Sequence, residues 1–232
     1  MRLEQILFSQ GFGTRHECRG LIGLGLVAVG GEIKRDPDED ISTEELVFTV
    51  KGESWPYCEK ALLMMNKPAG YECSQKPIHH PSVMQLLPPP LRCRGVQPVG
   101  RLDADTTGLL IFTDDGALLH RLTHPKRHVP KRYRVTCKHP PSEKMLADLT
   151  SGVKLKDEKE TLAADDIVLV DEHTIDMTIT SGKYHQVKRM VAAAGNRVEA
   201  LERIAFGALR LPEELPRGQW RWLPGSEVFY KK

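Results

Sequence analysis

Nothing in this chain pairs its cysteines. The five thiols, Cys18, Cys58, Cys73, Cys93 and Cys137, are scattered, odd in number and free of any C-x-x-C pair. That spacing suits neither a disulfide framework nor a zinc site and predicts reduced thiols. Cys73 with His79 and His80 could begin a metal site, but no fourth ligand lies near them in the chain. Long hydrophobic runs are missing too. The longest, Leu21 to Val29, is broken by glycines and is well below a membrane span. Met1-Arg2-Leu3-Glu4 leads into a mixed segment, without the basic start and apolar core of a signal peptide. A glycine-rich phosphate loop, internal repeats and low-complexity tails are also absent. These gaps predict a cytoplasmic protein with no membrane association, no metal and no cofactor.

Net charge is small as well. Thirty-three Lys and Arg against 31 Asp and Glu give +2, too little to point at nucleic acid. A 40% hydrophobic and 28% charged composition is ordinary for a soluble globular chain. The distribution says more than the total. Seven basic residues and no acid fall between Arg121 and Lys138, whereas Asp36 to Val50 holds six acids and no base. A basic stripe in a near-neutral protein is a candidate phosphate-contacting face, with a solvated surface segment as the alternative.

The first 50 residues read as a small unit. Leu3, Ile6 and Leu7 have helical spacing, and Gly11-Phe12-Gly13 ends that helix. Thr14 with Glu17 three residues on forms a capping box for a second helix, which buries Cys18, Leu21 and Ile22. On that helix Arg15 and Arg19, at i and i+4, share an outer face. Leu26–Val29, Gly30-Gly31 and Glu32-Ile33 read as a hairpin, and Leu46–Val50 as a third strand. Residues 51–60, with Gly52 and Pro56, read as a linker to a second unit over 61–232. There, strands are expected at 62–65, 108–113, 133–137, 167–170 and 174–180, with helices at 116–122, 142–149 and 185–194. Irregular alternation favours an α+β class with a mixed, mainly antiparallel sheet.

Several blocks resemble known families. Arg2-Leu3, Gly13-Thr14-Arg15, Arg19, Leu21-Ile22, Gly25 and Val27 to Gly31 resemble the S4-like RNA-binding domain, a helix-helix-hairpin unit. Gly100-Arg101-Leu102-Asp103-Ala104-Asp105-Thr106-Thr107-Gly108, continuing to Gly116, resembles the signature of pseudouridine synthases of the ribosomal small-subunit synthase A type. Met65 to Tyr71, His124 to Tyr133 and Ile179 to Met190 resemble that family's other motifs, in the same order. A lone Arg-Leu-Asp carries no meaning; four ordered blocks do.

The resemblance implies an enzyme that isomerises one uridine of ribosomal RNA, in 16S RNA the family's uridine 516. It implies Asp103 as nucleophile, Tyr133 as the aromatic platform for a flipped base, and Lys188 as the cation that keeps a partly buried Asp103 charged. Many relatives have arginine where Lys188 stands, and a lysine gives a point charge in place of a bidentate fork. Arg101 is placed to fill the space the base vacates, and Arg189 to face RNA or solvent. Arg15, Arg19, Lys126, Arg127, Lys131 and Arg132 are expected to contact phosphates, which position RNA without reading sequence. The implied partner is ribosomal RNA or a ribosomal assembly intermediate, met by a monomer. Three other readings stay open: a synthase acting on 23S RNA or tRNA, a non-catalytic S4-type ribosome-binding factor, and a phosphatase. The last rests on Asp103-Ala104-Asp105-Thr106-Thr107, which looks like the Asp-x-Asp-x-Thr loop of haloacid-dehalogenase-type enzymes. The poor strand before that loop counts against it.

Overall fold

The computed structural model describes residues 1–230; positions 231 and 232, the end of the expected second unit, lie outside the described residues. The chain divides into two compact units.

The first unit comprises Met1–Ala61 and Leu87–Gln97. Helices α1 (Leu3–Ser9) and α2 (Arg15–Gly23) precede strands β1 (Val27–Val29), β2 (Glu32–Lys34), β3 (Val47–Val50) and β4 (Glu53–Pro56). The capping box forms: the Thr14 backbone N–H donates to Glu17 at 2.7 Å, and the Glu17 N–H donates to the Thr14 hydroxyl at 3.3 Å. The strands lie in the order β2-β1-β3-β4, all antiparallel. Residues expected to form a linker thus supply a strand. Lys51 and Gly52 both have positive φ (53° and 83°) and join β3 to β4 as a two-residue hairpin turn, so Gly52 serves pairing and not separation. A later excursion, carrying α3 (Pro89–Cys93), returns to this unit. Its Arg94 donates to the Gln10 side chain at 2.7 Å and to the Cys58 carbonyl at 2.9 Å.

The second unit comprises Leu62–Leu86 and the chain from Pro98 onward. Its strands include β5 (Leu62–Lys67), β6 (Thr107–Thr113), β7 (Lys131–Cys137), β8 (Asp166–Leu169), β9 (Thr174–Ile179), β10 (Val198–Phe206), β11 (Leu209–Arg210) and β12 (Trp220–Trp222). Helices α4 (Gly116–Thr123), α5 (Glu143–Ser151) and α6 (Gln186–Ala193) lie between them. The main sheet runs β8-β9-β7-β10-β6-β5-β12, with β11 paired to β10. Pairing is antiparallel except between β10 and β6, where Glu202 faces Thr107 and Arg203 faces Gly108. The expected α+β class with a mixed, mainly antiparallel sheet is therefore what forms.

Central strands are buried on both faces, which explains why Leu62 to Met65 and Leu109 to Phe112 show no alternation. On one face Leu62, Met64, Leu109 and Ile111 pack with Leu118 and Leu122 of α4 and with Phe206 and Phe229. Asp115 caps α4 by accepting from the N–H groups of Ala117 and Leu118 at 2.9 and 3.0 Å, a role its place after Phe112 predicts. Strand β10 was not foreseen, although it lies near the middle of the sheet.

Candidate active site

Asp103 lies on the loop from Gly100 to Thr106, immediately before β6. Lys67 at the end of β5 pins this loop. Its side chain is fully buried, and its ammonium lies 2.8 Å from the Thr106 carbonyl, 3.0 Å from Pro68, 3.1 Å from Asp103 and 3.2 Å from Ala104. Three N–H groups facing four acceptors must share one of them. Burial pushes Lys67 below the ordinary lysine range, so the converging carbonyl dipoles are what make the charge tolerable there. The next strand needs Gly108. At its φ of 100° a Cβ would clash with the Arg203 carbonyl oxygen, so only glycine lets β6 lie against β10.

The Asp103 carboxylate is held at one oxygen and approached at the other. Oδ2 is 3.0 Å from Nζ of Lys188, and Oδ1 is 3.1 Å from Nε2 of His185. Both partners stand at the start of α6, where the helix dipole also favours a nearby carboxylate. Lys188 reaches Asp105 as well, at 2.7 Å. Burial opposes the charge on Lys188, but hydrogen bonds to Asp105 and Asp103 outweigh it and hold the ammonium above the usual lysine range. The Lys188 hydrogen bond likewise holds Asp105 below the usual carboxylate range, against a smaller effect of burial. Asp105 thus shares a cation with Asp103. In a phosphatase loop two such carboxylates would face a metal ion; here they grip one ammonium. Among the described residues no group of three His, Cys, Asp or Glu side chains is placed to hold a metal. Cys73 is buried, and its sulfur accepts the Leu102 N–H at 3.4 Å.

His185 lies within the Ile179 to Met190 block, whose resemblance implies no role for it. It caps α6 with φ 47° and ψ 34°, left-handed values that cost a non-glycine residue about 1–2 kcal/mol. Buried Gln186 imposes this turn: its Oε1 accepts the Lys183 N–H at 2.9 Å, and its Nε2 donates to the Ser181 hydroxyl at 2.7 Å. The result projects Tyr184 and His185 into a cleft of about 1070 Å³ that also holds Arg101, Asp103, Tyr133 and Lys188.

Tyr133 is a β7 residue, 8% exposed, on the lining of that cleft. Arg101 is exposed at its edge. Lys126 and Arg127 are exposed and follow His124 and Pro125, which line it. Lys131 is different: burial, with a contribution from Arg203, pushes it down to about 8, and its ammonium donates to the Val129 carbonyl at 2.9 Å. Arg132 lies 3.0 Å from Asp166 and 3.6 Å from Asp176. Those acids come from β8 and β9, outside the acid-free stripe. Arg189 donates to the Tyr184 carbonyl at 3.2 Å and lies 3.7 Å from Asp157 and Glu158. In the first unit Arg19 makes a two-pronged pair with Asp38, at 3.1 and 2.9 Å. Arg15 sits 3.7 Å from Glu4 and over the Phe8 ring.

Asp103 thus sits on a loop pinned by Lys67 and faces a cleft wide enough for a nucleotide. Residues 61–193 match the family described as RNA pseudouridylate synthase, and residues 1–47 match the S4 domain. The chain belongs to the RNA pseudouridine synthases, in the group of the ribosomal small-subunit synthase A. It is 37% identical to the ribosomal small subunit pseudouridine synthase A of Haemophilus influenzae, with 98% of each chain covered. The protein of that name from Escherichia coli is 35% identical, again over 98% of each. A crystal structure titled as a pseudouridylate synthase superposes with a TM-score of 0.69 at 36% identity, covering 98% of both chains. No helix among the described residues is long and apolar enough to cross a membrane.

Proposed function

We propose that this enzyme isomerises one uridine of 16S ribosomal RNA, the uridine 516 of its group, with Asp103 as the nucleophile. The observation that supports this most is the Asp103 carboxylate, gripped by Lys188 and His185 at the edge of a nucleotide-sized cleft. The target base leaves its stack and enters the cleft, because its reacting atoms are out of reach inside one. Asp103 attacks C1′, or takes a proton from the sugar, as the N1–C1′ bond breaks. Uracil turns over the Tyr133 ring, and C5 bonds to C1′ as Asp103 is released or, in the second route, returns its proton to the sugar. C5 then loses its proton and N1 gains one, so the reaction balances as an isomerisation. Lys188 keeps Asp103 charged and fixed, and Lys67 keeps its loop in place. Arg101 fills the gap in the RNA, while Lys126, Arg127, Lys131, Arg132 and Arg189, with Arg15 and Arg19 of the S4 unit, contact phosphates. The enzyme acts as a cytoplasmic monomer on ribosomal RNA or an assembly intermediate. Two relatives named for the small subunit favour 16S RNA over 23S RNA or tRNA.

The test is Asp103→Asn, which keeps shape but removes the charge and the nucleophilic oxygen. Tritium release from C5-labelled uridine in a 16S fragment should become undetectable, with thermal midpoint and filter binding unchanged. Retained turnover would overturn the role of Asp103. Pseudouridine mapping in a deletion strain should show one missing site in 16S RNA; a site missing elsewhere would reassign the substrate.

A further inference from the structure

Tyr184 is 73% exposed, an unusual position for a large aromatic ring in a cleft of this kind. It is not loose. Its ring stacks on His185 with centroids 3.8 Å apart and planes 21° from parallel, and the His185 ring reaches Oδ1 of Asp103 at 3.1 Å. The turn that carries both is fixed by Gln186 and by Arg189, which donates to the Tyr184 carbonyl. A rigid two-ring plate therefore runs outward from the nucleophile, its outer face open. We propose that this plate is a stacking subsite for the RNA base next to the target uridine, and that His185 carries the seating of that base to the orientation of Asp103.

Depth separates this subsite from the one assigned to the flipped base. Tyr133 is 8% exposed on the cleft lining, whereas Tyr184 is 73% exposed. A ring tied to Asp103 from outside lies where the strand enters or leaves, not where the target base turns. An aromatic face accepts any base, so the subsite contributes affinity and register without choosing a sequence. An exposed tyrosine also suits a protein contact, but the 3.1 Å approach of its stacking partner to the Asp103 carboxylate makes the reacting RNA the better occupant. His185 is a positioning residue here: it never meets the substrate's reacting atoms.

The inference rests on the Asp103 reading, and its test uses whichever RNA fragment supports tritium release with the wild-type enzyme, so failure of the 16S assignment leaves it intact. Tyr184→Ala, a surface change, should weaken binding roughly tenfold by filter assay, and Tyr184→Trp should restore it. Removing one neighbouring base, by an abasic residue on one side of the target, should weaken wild-type binding similarly and leave Tyr184→Ala no weaker than before. His185→Ala should lower kcat more than it raises KM, with partial rescue by His185→Gln, which keeps a donor. Losses that simply add for abasic residues on either side, or unaltered RNA binding by Tyr184→Ala, would overturn the subsite. A His185→Ala enzyme with normal kcat would overturn the link to Asp103.

Discussion

Replacing Lys67 by methionine isolates what holds the Asp103 loop. Methionine keeps the length and fills the same buried space, but leaves the carbonyls of Pro68, Asp103, Ala104 and Thr106 without their common donor. A hydrogen bond to a charged group contributes about 1.5–3 kcal/mol net, so three N–H groups give roughly 5–9 kcal/mol. Returning a buried ammonium to water recovers several kcal/mol, in keeping with the downward push that burial exerts on Lys67. The net loss should be about 3 kcal/mol, within the range for removing one partner of a buried charged network. In thermal unfolding that is about 6–12 °C for a unit of this size. The larger effect is on rate. Three of the carbonyls, those of Asp103, Ala104 and Thr106, belong to the loop of the proposed nucleophile, and a shift of about 1 Å there costs about 100-fold. Single-turnover tritium release below both melting midpoints should fall by that factor, with filter binding nearly unchanged. A variant that loses the stability but keeps the rate would refute the reasoning, since Lys67 would then only fill the core.

Two other variants follow from the electrostatics. Lys131 sits at about 8 in the folded chain against an ordinary 10.5. Between those values the unfolded chain holds a proton the folded one lacks, so stability rises with pH across that window, and below about 8 the buried charge is fully unfavourable. At about 1.4 kcal/mol per pH unit the penalty is roughly 3 kcal/mol, and Lys131→Met forfeits about 1 kcal/mol with the Val129 hydrogen bond. Urea unfolding at pH 7 should show the variant about 1–2 kcal/mol more stable, with the advantage gone near pH 10; a less stable variant at pH 7 contradicts the burial effect. Asp105→Asn should lower kcat less than about fivefold, because Asp105 is 74% exposed and such a pair contributes under about 1 kcal/mol. An Asp105→Asn enzyme as inactive as Asp103→Asn would show that both carboxylates are required.

Local signals were legible and long-range ones were not. The Thr14–Glu17 box, the Gly30-Gly31 turn and the Asp115 cap each involve groups within three residues of one another, so spacing alone reveals them. Strand β10 reads Val-Glu-Ala-Leu-Glu-Arg-Ile-Ala-Phe, rich in residues that favour helix. Its extended form comes from β7 on one side and β6 on the other, partners some 60 to 100 positions earlier in the chain. Arg132 looked free because its neighbours in sequence are basic, while Asp166 and Asp176 arrive from other strands. The Asp103 motif was legible as a block, yet its grip by His185 depends on a left-handed backbone that no residue pattern announces.

The ion pairs also redistribute the expected RNA surface. Arg19 and Arg132 already hold carboxylates in short contacts. Trading such a carboxylate for a phosphate exchanges one anion for another, so each contact adds little net affinity, although it still fixes register. Among the described residues Arg101, Lys126 and Arg127 have exposed side chains with no such partner. A phosphate meeting one of these releases counterions without breaking a pair first. Arg101 borders the Asp103 cleft, and Lys126 and Arg127 directly follow residues that line it. In the proposed reading these three cations supply binding energy beside the cleft, where it can offset the unstacking of the target base.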